Sequence, residues 1–332
     1  MKKWIEEVIR SPHRVAVPIM THPGIEMIGK QVVDACKDGQ IHFEAIQALD
    51  KTWPAAATTV IMDLTVEAEA FGANIIFPTE EVPSVTGRLL SNKAEVEALP
   101  IPSVDAGRIH EYLKANQLTA ESIQDKPVLG GCIGPFSLAG RLFDMTEIMM
   151  AIYIEPETVE LLLEKCTTFL LSYLQALKKT SIDGVMMAEP AAGLLSNKDC
   201  LAYSSRYIQT IVDAVQDESF SVILHNCGNK GHCTDAMIAT GAAAYHFGNK
   251  AYMVEALQKC PENTLVMGNI DPVSVMKQSS PEEVEQAVNK LLIETAPYAN
   301  FVLSTGCDTP PQIPLKNIEA FYQALDRYNT KM

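Results

Sequence analysis

Residues 242–269, "AAAYHFGNKAYMVEALQKCPENTLVMGN", contain two short apolar runs, 242–247 and 264–269, on either side of a helical pattern at 250–260. Parallel strands need a long crossover connection, and that connection is usually a helix. The stretch therefore predicts a strand–helix–strand unit of a parallel sheet.

The same alternation of short apolar runs and longer helical patterns extends over the whole chain. The eight candidate strands are residues 15–20, 74–78, 127–131, 184–189, 221–225, 242–247, 264–269 and 301–305. Further helical patterns cover 156–180, 197–215, 281–296 and 314–328, and "SPEEV" at 280–284 predicts a helix start with Pro in the first turn. Eight such units predict an α/β fold of the (β/α)8 TIM-barrel type, although a doubly wound open sheet is the alternative.

The 332 residues are more than a typical domain uses, but one barrel with insertions accommodates that length. We therefore predict a single TIM-barrel domain over residues 1–332. Its additional N-terminal helices are expected in two insertions, about 21–73 and 79–126. These insertions are expected to provide a lid or the surface of a homodimer.

The composition restricts the classes of partner and the compartment. A net charge of −15 argues against nucleic acid or an anionic membrane as the main partner. The sequence shows neither an apolar run long enough to span a membrane nor the apolar core of a signal peptide near its start. With eight Cys and no secretory signal, we expect a cytoplasmic protein whose cysteines are mostly unpaired.

Polar and metal-binding residue types follow the predicted strands, where the active sites of TIM barrels lie. These residues are Thr21, His22, Thr79, Glu80, Cys132, Gly134, Glu189, His225, Cys227, Gly248, Asn249, Asn269, Asp271, Cys307 and Asp308. Helix caps and turns would explain Thr79, Asn269 and Asp271. They explain His, Cys and Glu at these ends less well.

His225 and Cys227 follow the fifth strand, and Cys307 follows the eighth. Thiolate and imidazole ligands suit Zn²⁺, and three protein ligands leave a fourth position open, as in catalytic zinc sites. His232 and Cys233 are competing ligands, since a closed structural site could use them with His225 and Cys227. That alternative leaves Cys307 unexplained, so we expect His232 and Cys233 to be packing and surface residues of the following helix.

Five segments resemble the uroporphyrinogen decarboxylase superfamily, and within it the zinc-dependent methylcobalamin:coenzyme M methyltransferase branch. The segments are "EPAAGLLS" (189–196), "ILHNCGNK" (223–230), "TGAAAYHF" (240–247), "VMGNIDPVSVM" (266–276) and "LSTGCDTPPQIPLKNIEAF" (303–321). The likeness is dense over 184–321 and weaker before it. It implies a TIM barrel, zinc on His225, Cys227 and Cys307, and methyl transfer from methylcobalamin to a small thiol such as coenzyme M.

Two acids at the predicted strand ends are expected to have catalytic roles. Glu189 is expected to take the fourth zinc position at rest or to accept the thiol proton, with a helix cap or salt bridge as the alternative. Asp308 is expected to orient a ligand, with a turn role as the alternative. Because the chain has no "DxHxxG" corrinoid-binding motif, the methyl donor is expected on a separate corrinoid protein or as free methylcobalamin.

Other functions stay open at the level of sequence. The acceptor could be homocysteine or tetrahydrofolate, or the chain could be a zinc-braced barrel that only docks a corrinoid partner. A decarboxylase of a smaller substrate is a further alternative. Decarboxylation of a porphyrin is disfavoured, because no Arg occurs between Arg14 and Arg88, where the decarboxylases have an Arg-rich segment.

Overall fold

The computed structural model describes residues 1–79 and 81–331. Its strands are β1 Thr58–Thr59, β2 Asn74–Ile76, β3 Ser84–Thr86, β4 Val128–Ile133, β5 Gly184–Ala188, β6 Ser221–Asn226, β7 Ala244–Phe247, β8 Leu265–Ile270 and β9 Phe301–Thr305. Glu80, which the sequence placed at a strand end, lies outside the described residues.

The helices surround the strands on the outside and at both ends. They are α1 Lys2–Arg10, α2 His22–Met27, α3 Val32–Lys37, α4 Gly39–Thr52, α5 Val66–Ala70, α6 Lys93–Ala98, α7 Ile109–Ser122, α8 Pro135–Phe143, α9 Met145–Ile154, α10 Pro156–Lys179, α11 Asn197–Cys200, α12 Arg206–Val215, α13 Thr234–Ile238, α14 Met253–Lys259, α15 Pro281–Glu294 and α16 Leu315–Thr330. A 3₁₀-helix covers Pro190–Leu194, and a π-helix covers Leu201–Ser205.

Within residues 1–79 and 81–331, seven parallel strands form one sheet in the order β1-β4-β5-β6-β7-β8-β9. The extended segment at 15–19 closes this sheet into a ring. Ala16 forms a parallel bridge with Leu303 of β9 on one side, and the Ala56 N–H donates to the Ala16 carbonyl at 2.8 Å on the other. The predicted (β/α)8 barrel is therefore confirmed, and the open doubly wound sheet is not the fold.

The predicted barrel strand at 74–78 is wrong. Residues 74–76 form β2, which pairs with β3 in a separate antiparallel hairpin, and Ile76 is half exposed. The barrel strand at this position is β1, inside the stretch 21–73 that was expected to hold only an insertion. Its two threonines hide the strand from an apolar pattern, although Ala57, Val60 and Ile61 beside them are buried.

The helical predictions after residue 150 are confirmed by α10, α11 with the π-helix and α12, α14, α15 and α16. The "SPEEV" start is a capping box. The Ser280 hydroxyl accepts from the Glu283 N–H at 3.3 Å, and the Glu283 carboxylate accepts from the Ser280 N–H at 2.7 Å. These two bonds satisfy amide groups that a helix start leaves unpaired.

The packing leaves one end of the barrel open. Val17, Ile223, Met267 and other apolar side chains fill its interior, and Ile5 of α1 belongs to the same cluster, which closes the amino-terminal end of the strands. The additional helices α2, α3 and α4 have a small core of their own. The carboxyl ends of the strands are thus the place for a site.

In the described part of the chain, no helix combines the length and apolar character needed to cross a membrane.

Candidate metal centre

Three side chains meet at the open end of the barrel. His225 lies near the end of β6, Cys227 follows that strand, and Cys307 follows β9. Their ligand atoms lie within 4.8 Å of one another, and within the described residues no fourth His, Cys, Asp or Glu joins the group. The structure thus brings the three sequence-predicted ligands into one candidate metal site with an open side.

One ring nitrogen of His225 supports a ligand role. The imidazole is buried, and its Nε2 atom has no hydrogen-bond partner among the described residues. A buried polar atom without a partner is costly, and such atoms are rare in folded proteins. A metal ion beside Nε2, Cys227 and Cys307 would satisfy this nitrogen.

A chain of hydrogen bonds determines which nitrogen of His225 is free. The Ser304 hydroxyl donates to the Val17 carbonyl at 2.7 Å, so its oxygen accepts from His246 Nε2 at 2.8 Å. His246 Nδ1 then accepts from His225 Nδ1 at 2.8 Å. Neutral His225 is protonated on Nδ1 and presents the Nε2 lone pair, the form that binds a metal.

His246 is suited to this task by its position. β6 and β7 pair in parallel, with His225 directly opposite His246. Burial, and then the neighbouring His225 ring, hold the pKa of His246 well below its usual range, so the ring stays neutral. His246 was not among the site residues predicted from the sequence; the one signal was a His inside an otherwise apolar strand.

The two cysteines interact directly. Hydrogen bonding from Cys307 lowers the pKa of Cys227, whereas burial opposes that change. The same contact, followed by burial, raises the pKa of Cys307, and the neighbouring His225 ring opposes part of that rise. Without a metal the pair therefore loses one proton readily and resists losing the second. Two thiolates and an imidazole nitrogen form a donor set that a divalent ion such as Zn²⁺ stabilises.

Gly248, directly after β7, allows the Cys227 loop to approach. A Cβ atom at this position would lie 2.7 Å from both the Cα and the carbonyl oxygen of Cys227. Any side chain here would displace the ligand loop. Gly248 is thus explained by close backbone packing.

Glu189 is buried, and its carboxylate accepts three hydrogen bonds. The donors are the Phe136 N–H at 2.8 Å, the Ser137 N–H at 2.9 Å and the Ser204 hydroxyl at 2.9 Å. Burial raises the pKa of Glu189, and these bonds counteract part of that rise. The contacts are those of a cap on the amino terminus of α8, which matches the alternative considered for this residue. Its catalytic role stays a prediction.

Asp308, next to Cys307, binds the start of α2. Its Oδ2 accepts from the Thr21 hydroxyl at 2.9 Å and lies 3.6 Å from His22 Nδ1. His22 Nδ1 also lies 2.7 Å from the Thr309 carbonyl. Burial lowers the pKa of His22, but Asp308 and the Thr309 carbonyl raise it further, so the net change is upward. Asp308 is thus well placed at the site, and its catalytic role stays a prediction.

A cleft of about 420 Å³ opens beside Cys307 and Asp308. His22, Arg141 and Val82 also line it. Arg141, in the last turn of α8, is a residue that the sequence reasoning missed; the available signal was a lone cation in the apolar stretch "PFSLAGRLF".

His232 and Cys233 lie outside the metal group. Their expected place on a helix is wrong, because both precede α13, in a turn where Asn229 Oδ1 accepts from the N–H groups of Gly231 at 2.8 Å and Cys233 at 3.0 Å. His232 is exposed, and Cys233 is buried against the Leu195 carbonyl at 3.3 Å. The surface and packing roles expected for them agree with these contacts.

Asn269 and Asp271 fix loops. The Asn269 amide donates to the carbonyls of Gly248 at 2.9 Å and Ala251 at 2.7 Å. The Asp271 carboxylate accepts from the backbone N–H of Val273 at 2.9 Å. The cap and turn interpretation of these two residues is consistent with these bonds.

Comparisons with known proteins agree with this architecture. The family model of uroporphyrinogen decarboxylase (URO-D) matches residues 5–328. The methylcobamide:CoM methyltransferase MtbA of Methanosarcina mazei is 30% identical over 285 residues, which is 82% of this chain and 80% of that protein. The uroporphyrinogen decarboxylase of Serratia proteamaculans is 26% identical over 308 residues, 89% of this chain and 85% of that protein.

A solved methyltransferase from Methanosarcina mazei shares the fold, with a TM-score of 0.88, 21% identity and coverage of 98% of both chains. The resemblance seen in the sequence is thereby confirmed at the level of the superfamily. By its family model, its relatives and its barrel, the chain belongs to the uroporphyrinogen decarboxylase (URO-D) family.

Proposed function

We propose that this chain is a zinc-dependent methyltransferase that moves a methyl group from methylcobalamin to a small thiol such as coenzyme M. The observation that carries the proposal is the three-ligand group of His225, Cys227 and Cys307, of which Cys307 lines a cleft at the barrel mouth. An open position is what distinguishes a catalytic zinc from a structural one. The named methyltransferase relative from Methanosarcina mazei supports the assignment.

The reaction balances without a further reactant. The acceptor thiol gives up its proton, its sulfur lone pair forms a bond to the methyl carbon, and the cobalt–carbon bond breaks. The bonding pair stays on cobalt, so methylcob(III)alamin becomes cob(I)alamin and the acceptor becomes a methyl thioether. When bound, zinc supplies the acidity that keeps a thiol deprotonated near neutral pH, where a free thiol is mostly protonated.

The residues of the chain position the reactants. His225, Cys227 and Cys307 would hold the metal, with the Nε2 atom of His225 oriented by His246. An acceptor held in the cleft would lie beside Cys307, which favours reaction geometry.

The two acids take different parts in this proposal. Asp308 lies in the cleft and orients the acceptor or takes its proton. The Glu189 carboxylate already accepts three hydrogen bonds from Phe136, Ser137 and Ser204. We therefore assign Glu189 the part of fixing α8 at the cleft, in place of the fourth zinc position.

The cleft disfavours the rival substrate class. A substrate with many carboxylates requires several cations, and among the described residues that line the cleft Arg141 is the one Arg or Lys. We further propose that the methyl donor is carried by a separate corrinoid protein that docks over the mouth, in the cytoplasm. A homodimer through the N-terminal helices stays a prediction.

Anaerobic assays with methylcobalamin test this function. We expect zinc-loaded protein to convert methylcobalamin to cob(I)alamin only when a thiol acceptor is added. The thiols coenzyme M and homocysteine are compared in parallel with tetrahydrofolate, which has no thiol. Cys307→Ala should abolish the conversion, and Cys233→Ala, a buried cysteine outside the metal group, should retain it. Conversion by Cys307→Ala at the rate of the unmodified protein, or no conversion with any acceptor, would refute the assignment.

A further inference from the structure

Arg141 carries a positive charge that no acid within residues 1–79 and 81–331 neutralises by contact. Its side chain is half-buried in the last turn of α8, and burial lowers the pKa of its guanidinium. Among the described residues, none forms an ion pair or a side-chain hydrogen bond with this guanidinium. A partly buried Arg without a partner is unusual, since buried charges are normally paired.

Two acids, Asp63 and Glu67, act on this guanidinium through space, and each accepts hydrogen bonds from other groups. Asp63 accepts from Arg108 at 2.6 Å, from Thr65 at 2.6 Å and from Tyr112 at 3.0 Å. Glu67 accepts from the Ile133 N–H at 2.9 Å through one oxygen. Both acids influence Arg141 only through space. The five guanidinium donors therefore remain available to a ligand.

Arg141 and Cys307 line the same cleft of about 420 Å³. A ligand in this cleft would thus lie beside both Cys307 of the metal group and the guanidinium. Guanidinium groups bind carboxylate, sulfonate and phosphate oxygens in pairs, which fixes orientation as well as charge. The acids Asp63, Glu81 and Asp308, which also line the cleft, disfavour a ligand with several negative charges.

We propose that Arg141 binds the anionic group of the acceptor, so that the substrate class is a short thiol with one sulfonate or carboxylate. This inference rests on the proposed function, because the thiol end is assigned to the metal group. Arg141 orients the acceptor by its charged end and leaves the sulfur free to face the incoming methyl group.

Calorimetric binding of three thiols to the zinc-loaded protein, at fixed ionic strength and without methylcobalamin, tests the inference. The probes are 2-mercaptoethanesulfonate, 3-mercaptopropionate and the neutral 2-mercaptoethanol. We expect the anionic thiols to bind about tenfold or more tightly than the neutral thiol, the effect of one charge-assisted hydrogen-bonded pair. Arg141→Met should remove this preference, and Arg141→Lys should retain part of it. Arg88→Met, which changes an Arg that pairs with Glu147 outside the cleft, should have no effect.

Equal binding of neutral and anionic thiols by the unmodified protein would overturn the inference without any variant. An equal loss of binding affinity for all three thiols in Arg141→Met, with zinc retained, would also overturn it. The two proposals fail separately. An anion preference without methyl transfer refutes the function and keeps the anion site, whereas methyl transfer without a preference refutes only the role of Arg141.

Discussion

The Nδ1 atoms of His225 and His246 lie 2.8 Å apart, and this contact determines which nitrogen of His225 is available to a metal. His246 is held in its acceptor form by Ser304, whose hydroxyl is committed to the Val17 carbonyl. Val17 belongs to the segment that closes the barrel. The closure of the fold and the chemistry of the site are therefore connected through three hydrogen bonds.

Removing the acceptor of this contact should weaken metal binding. In His246→Phe the His225 Nδ1–H loses its partner, so the ring loses its fixed tautomer and orientation. Changes to such supporting groups typically cost 10–100-fold in metal affinity, and we expect about that loss. Competition with a chromophoric zinc chelator measures it. Tyr245→Phe, which removes a buried hydroxyl from the neighbouring position of the same strand, is the control. Equal zinc affinity in both variants would show that the contact has no such role.

Glu189→Gln should destabilise the fold and leave the metal in place. The amide nitrogen of Gln cannot accept from the N–H groups at the start of α8, so at least one charge-assisted bond is lost, at a cost of about 2 kcal/mol in the free energy of unfolding. Urea unfolding measures this change. Glu157→Gln, an exposed acid in the first turn of α10, is the matched control. Loss of zinc from a folded Glu189→Gln protein would contradict the cap assignment and favour a ligand role.

Asp308→Asn should separate metal binding from turnover. The change keeps the shape of the side chain but removes the charge beside His22 and the cleft. We expect full zinc content with kcat/KM lower by about tenfold or more, the effect of one charge-assisted contact. Both quantities are measured on the same preparation, with Asp235→Asn on the surface as control. An unchanged kcat/KM would leave Asp308 with a turn role alone.

Glu67 should make stability depend on pH. Burial, opposed by its hydrogen bond to the Ile133 N–H, raises the pKa of Glu67 from 4.5 to about 7. A carboxyl whose pKa is higher in the folded state stabilises the fold below its unfolded pKa. That stability is lost as pH rises through about 7. The rise in the pKa of Glu67 corresponds to about 3 kcal/mol in the free energy of unfolding.

Urea unfolding between pH 5 and pH 8 tests this dependence, over a range of ~3 pH units that spans the folded pKa. The unmodified protein should lose stability across this range, and Glu67→Gln, which stays neutral, should lack that part of the loss. Glu121→Gln, at an exposed position, should follow the unmodified protein. Parallel curves for Glu67→Gln and the unmodified protein would show that Glu67 is already ionised throughout.

The sequence predicted those features that depend on a local residue pattern or on position along the chain. Buried parallel strands are continuous apolar runs, so most barrel strands could be found, and His225, Cys227 and Cys307 stood out because each ends or follows such a run. β1 was missed because Thr58 and Thr59 interrupt the apolar pattern.

His246 and Arg141 could not be assigned from the sequence, because their roles depend on spatial relationships. The His246 contact follows from the pairing register of β6 with β7. Arg141 reaches the cleft because of the direction in which α8 leaves β4. For Glu189 the sequence left a catalytic role and a cap or salt bridge open, and its three hydrogen-bond donors are visible only in the structure.

Zinc content, measured by elemental analysis on three proteins purified in parallel, tests the central claim most directly. The three are the unmodified chain, Cys227→Ala and Cys233→Ala. The two variants remove cysteines that are close in sequence, of which Cys227 lies in the metal group and Cys233 lies outside it. We predict one zinc per chain in the unmodified protein and in Cys233→Ala, and a loss of most of it in folded Cys227→Ala. An unmodified protein without zinc, or equal zinc in all three, would contradict the account.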